Sequence, residues 1–166
     1  MSKTVDHFHD LYVSELQELR SVEDQLITAL PRLAEMAASL ELQASLGAQL
    51  GVTRMQRDRL DGLLKEHGAE PREHSDSSMQ ALIAETDRWA QMVEEPELRD
   101  AGLIGSVQRI GHYQIAVYGT LATWAKQSGQ EDDLAVLRAG LDQEKRADGV
   151  FTKVAKSIVN PTAAEA

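Results

Sequence analysis

Apolar residues recur along this chain at alternating spacings of three and four, the mark of helices that each bury one stripe. Four long segments carry such a stripe. The first reads Tyr12, Leu16, Leu19, Glu23, Leu26, Leu30, Leu33, and the second Leu42, Leu46, Gln49, Thr53, Gln56, Leu60, Leu63. The third reads Ile104, Val107, Gly111, Gln114, Tyr118, Leu121, Ala125, and the fourth Leu134, Leu137, Leu141, Glu144, Asp148, Phe151.

Punctuation residues set the expected ends of these helices. Thr4 can cap a helix running towards Ala38, with Pro31 as an internal kink or break. A second helix is expected from about Glu41 to His67, stopped by Gly68 and Pro71. The stretch His74 to Ser78 reads as a loop rich in N-cap residues, leading into a short helix from about Ser77 to Val93. Pro96 suits the first turn of a helix reaching Gln127, and Ser128-Gly129 ends it. Glu131, Asp132 and Asp133 place negative charge at the positive end of a last helix, expected to run to about Val159. No strand pattern competes. The fold predicted is all-α: a single four-helix bundle over residues 1–160 with a short extra helix in the crossover, and a frayed tail over 161–166.

Each stripe is apolar at its ends and polar or empty near its middle. Glu23, Glu144 and Asp148 stand where leucine belongs, and an ionised carboxylate in a core is costly unless paired, protonated or metal-bound. No Lys or Arg falls on the stripes, so a cation from solution, an off-stripe basic side chain or retained protons must answer these acids. Glu144 and Asp148 are four apart and project from one helix face. Oxygen ligands of this kind suit hard divalent cations, and iron or manganese accepts them too. The blander reading puts such an acid at the rim through a phase error. Gln49 and Gln56 read as hydrogen-bonded core or rim residues, His112 as a satisfied or exposed side chain, and Trp89 and Trp124 as packing residues.

Composition narrows the classes. The chain has 166 residues and no cysteine, which excludes disulfides, thiol catalysis and iron–sulfur clusters. Its formal net charge of −10 repels nucleic acid and anionic membrane. There is no secretory h-region and no apolar run long enough to span a bilayer, so a soluble cytoplasmic protein is expected. No Gly-rich phosphate loop is present, and residue types alone support no Ser-His-Asp arrangement.

Three segments carry a family resemblance. Leu11 to Leu26 with Ala29-Leu-Pro-Arg-Leu33, Arg99 to Ala125 with its Ile-Gly-His112-Tyr-Gln core, and Leu141-Asp-Gln-Glu144-Lys-Arg-Ala-Asp148 resemble the YciF/YciE-like bacterial stress proteins over nearly the whole chain. The resemblance implies a ferritin-like, rubrerythrin-related bundle. Such bundles hold two metals with a Glu from each of two helices and Glu-x-x-His from the other two. Glu23 matches the first-helix glutamate, and Glu144 with Asp148 the last-helix pair. The family usually has glutamates around positions 51 and 52, where this chain has Gly51 and Val52, and Glu-His-Tyr-Glu where it has Gly111-His-Tyr-Gln114. Two metals are therefore not expected, and the cofactor is either none or a single iron or manganese ion.

The leading expectation is a ferritin-like stress-response protein with a lost or weakened dimetal site, structural or binding rather than catalytic. Gln56 and Gln114 would then donate hydrogen bonds to the orphan carboxylates, and the glycines at 51 and 111 would leave space beside them. One alternative is a non-haem iron or manganese protein acting on oxygen or peroxide through Glu23, Glu144 and Asp148, with His112 or Gln114 adjusting inward. Another is an interaction module, a homodimer using Leu40, Leu82, Ile83 and Trp89 as an apolar patch.

Overall fold

A computed structural model describes residues 5–166. The helices are α1 (Phe8–Met36), α2 (Leu40–Glu66), α3 (Ser77–Met92), α4 (Pro96–Gln127), α5 (Glu131–Val154) and α6 (Asn160–Glu165). No strand occurs among the described residues. Four long helices form the bundle, with α3 in the crossover as the sequence predicts.

Tight turns pair α1 with α2 and α4 with α5, and the two pairs meet through α1 against α4 and α2 against α5. Cross-bundle bonds fix the directions. The end of α1 meets the start of α4, where Asp100 accepts the backbone N–H of Ala38 (2.9 Å) and of Ser39 (2.7 Å). The end of α2 meets the start of α5, where His67 bonds Asp133. Neighbouring helices are thus antiparallel, and α2 and α4 run parallel. A parallel pair needs a connection spanning the length of the bundle, and the 67–95 segment with α3 supplies it by packing on α4 and α1.

The ends follow local chemistry. Ser39 caps α2 by accepting the Leu42 N–H, and Asp76 caps α3 by accepting that of Met79. Gly68 and Gly129 have φ of 66° and 69°, the left-handed conformation that closes a helix and that glycine adopts without a Cβ penalty. Pro31 does not break α1, which runs through it to Met36. The Thr4 cap lies outside the described residues.

The tail departs from expectation. After α5 a π-helical turn covers Ala155–Val159, and α6 continues it to Glu165, so that most of the 161–166 tail is helical rather than frayed. Ala155, Val159 and Ala163 are buried, so an apolar face holds this end against the bundle.

Candidate functional site: a buried carboxylate–amide waist

Heptad phasing aims seven polar side chains of the four long helices at the middle of the core. Glu23 from α1, Gln49, Thr53 and Gln56 from α2, Gln114 from α4 and Glu144 from α5 are all buried, and the Tyr118 hydroxyl on α4 joins them. Glu23 is 0% and Glu144 1% exposed, so two of the three acids the stripes single out lie in the core.

Each acid is answered by neutral donors. Glu23 Oε1 accepts Gln114 Nε2 at 3.0 Å and the Tyr118 hydroxyl at 3.1 Å. Glu144 accepts Gln49 Nε2 on both oxygens, at 3.0 and 3.1 Å, and Gln56 Nε2 on Oε1 at 2.9 Å. The expected donation by Gln56 and Gln114 is present, with Gln49 as a further donor. Three buried atoms of this waist keep no protein partner: Glu23 Oε2, Thr53 Oγ1 and Gln56 Oε1.

Electrostatics raise both carboxyls from their ordinary range. Burial pushes the Glu23 carboxyl well above its ordinary range, and the charge of Glu144 pushes it further, against the pull of Gln114 and Tyr118. Burial also raises Glu144, opposed by Gln56 and Gln49. The Tyr118 hydroxyl is raised by burial and by Glu23, so it stays a donor.

Asp148 does not share this environment. It lies one helical turn beyond Glu144, its side chain 24% exposed, with Oδ1 accepting Gln108 Nε2 at 3.1 Å and standing 3.2 Å from His112 Nε2. His112 is itself exposed, as the residue-level reading expects. Gly51 faces solvent and leaves no space beside the acids, Val52 is half-buried, and Gly111 lines a small internal cavity. The α2 positions that do face Glu144 are Gln49 and Gln56.

The residues fit a two-metal centre poorly. The cavity, lined by Gln49, Gly111, Gln114, Glu144 and Asp148, has a volume of about 20 Å³, room for one water-sized species. Amide N–H groups, which repel a cation, occupy both oxygens of Glu144. Among the described residues no group of three or more His, Asp or Glu side chains gathers in a way that could hold a metal ion.

Residues 7–164 match the family model described as Domain of unknown function (DUF892). Protein YciF of Escherichia coli (strain K12) is 34% identical over 162 residues, 97% of this chain and 96% of that protein. The crystal structure of the E. coli stress protein YciF superposes with a TM-score of 0.89 at 33% identity, covering 94% of this chain and 99% of that one. YcfI from Rhodopseudomonas palustris also gives 0.89, at 32% identity over 93% of this chain and 99% of the other. A protein from Xanthomonas campestris pv. campestris shares the fold at a TM-score of 0.78 and 17% identity, covering 96% and 98%.

Proposed function

The chain belongs to the family described as Domain of unknown function (DUF892), and from that premise we propose that it is a stress-response bundle protein of structural or binding role, whose waist is held by a carboxylate–amide network in place of a dimetal centre. The stress setting is carried over from the E. coli relative, and a cytoplasmic location is proposed beside it. The observation that carries the reading is Glu144: the amide nitrogens of Gln49 and Gln56, which contact both its oxygens, lie where a ferritin-like site would need ligand oxygens or imidazoles. Such a network rigidifies and specifies a core without redox chemistry.

The direct test is elemental analysis of protein purified after growth with iron and manganese, beside melting with and without a chelator. The expected result is substoichiometric iron and manganese and a melting temperature unchanged by their removal. Two tightly held metals per chain would overturn the reading.

A second reading has its own support. The unpartnered Glu23 Oε2, Thr53 Oγ1 and Gln56 Oε1 are buried oxygens that could turn to one iron or manganese ion beside Glu23 and Glu144, with oxygen or peroxide as substrate. Asp148 would have to leave Gln108 and His112 to join them. Peroxide consumption abolished by both Glu23→Ala and Glu144→Ala supports this reading, and consumption that survives them rejects it.

A homodimer is the proposed assembly. Leu40 (74% exposed) and Trp89 (39%) remain available to a partner, whereas Leu82 and Ile83 are half-buried against the protein's own core. Sedimentation as a monomer at micromolar concentration would exclude it. No helix among the described residues is long and apolar enough to cross a membrane.

A further inference from the structure

Far from the waist, at the end of the bundle where α1 and α5 begin and α2 ends, a second polar cluster closes the core. Asp133 is 4% exposed. Its Oδ2 accepts the Tyr12 hydroxyl at 2.6 Å and bonds His67 Nε2 at 2.7 Å. An ionised carboxylate only accepts, so Nε2 of His67 carries the hydrogen, and in the neutral ring Nδ1 is left with a free lone pair. That nitrogen stands 3.2 Å from Nε2 of His9 on the first turn of α1.

We propose that His9 and His67 form a two-imidazole site for a borderline divalent transition-metal ion of the zinc type. Three features point to it. A carboxylate behind one ring nitrogen, which fixes the tautomer and raises the basicity of the other, is the usual support of a metal-bound histidine. The spacing is right: two nitrogens bound at 2.0–2.1 Å to a tetrahedral ion stand about 3.3 Å apart. The His67 ring is held in place, its side chain 9% exposed and its face met by the edge of Tyr12 with centroids 5.6 Å apart. It therefore has little orientation left to lose on binding.

The surroundings admit the ion. His9 is exposed, and both rings line an open cleft of about 320 Å³ whose walls include Asp10, Glu70 and Glu73. That acidic rim attracts a cation. Two protein nitrogens leave the other coordination positions to water or a small anion, so the site is an exchangeable one rather than a closed structural centre. The ion would tie the start of α1 to the end of α2, and through Asp133 to the start of α5.

Zinc titrated into the full chain, followed by calorimetry and by NMR of the imidazole nitrogens, tests the proposal. One ion per chain is expected at micromolar concentration, with His67 Nδ1 and His9 Nε2 as the nitrogens that shift. His9→Asn should weaken binding at least tenfold, whereas His7→Asn, His112→Asn and Glu144→Gln should leave it unchanged. His9 is exposed, so its variant should fold. Binding indifferent to His9→Asn, binding lost with Glu144→Gln, or no binding below millimolar zinc would each overturn the proposal. In the last case the two rings share only a hydrogen bond.

Discussion

The ring of Tyr118 on α4 occupies the space a Cβ would need on Gly140 of α5. A Cβ built there would stand 2.8 Å from Cζ and 2.9 Å from Cδ1, and against Cε1 as well. Tyr118 is 1% exposed and its hydroxyl donates to Glu23, so this one missing methyl lets α5 approach the residue that answers a buried acid. Gly140→Ala should therefore destabilise the protein by about 1–3 kcal/mol through overpacking. Chemical denaturation checks it, and a midpoint equal to wild type would mean the ring moves aside freely.

The two buried acids set a pH dependence. Glu23 and Glu144 are both raised from an ordinary value of 4.5, so the folded chain holds protons that the unfolded chain releases. Well below that value both states are protonated and the acids cost nothing. As pH climbs past it the unfolded chain ionises first, and stability falls until the folded acids ionise too. Glu23→Gln removes this loss for one group: its amide oxygen still accepts from Gln114 and Tyr118. The variant should gain roughly 1–2 kcal/mol at pH 8, about 2–8 °C in melting temperature, and almost nothing at pH 4. Melting curves at both values decide it, and a loss of stability at pH 8 would instead favour an ion held by Glu23.

Gln56 tests the other acid. Gln56→Leu takes away the 2.9 Å donor to Glu144 and leaves a buried carboxylate with Gln49 alone. A loss of roughly 1–3 kcal/mol is expected at pH 7, shrinking well below pH 4.5, where Glu144 is neutral in both states. Equal losses at both values would show that packing, not charge, explains the effect.

Asp100 secures the turn between α1 and α2 from across the bundle. Its carboxylate takes two backbone N–H groups and is 3% exposed. Asp100→Ala should cost about 1–3 kcal/mol by orphaning both donors, and Asp100→Asn less, since one acceptor oxygen remains. Hydrogen exchange at Ala38 and Ser39 reads the local effect directly, with faster exchange expected at both.

The amino-acid sequence by itself determined the helices, because an apolar stripe at a period near 3.6 can be buried in only one way, and its interruptions at Glu23 and Glu144 located the acids in the core. It could not place Asp148. A step of four residues turns a helix about 40° past a full turn, and only the approach of α4 decided that this rotation carries Asp148 to Gln108 and His112. The same limit explains Gly51. The family resemblance pointed to positions 51 and 52, while the packing of α2 against α5 faces Gln49 and Gln56 to Glu144. The cluster of His9, His67 and Asp133 left no local signal at all. Its members come from three helices, and side chains so far apart in the chain meet only when the bundle closes its end.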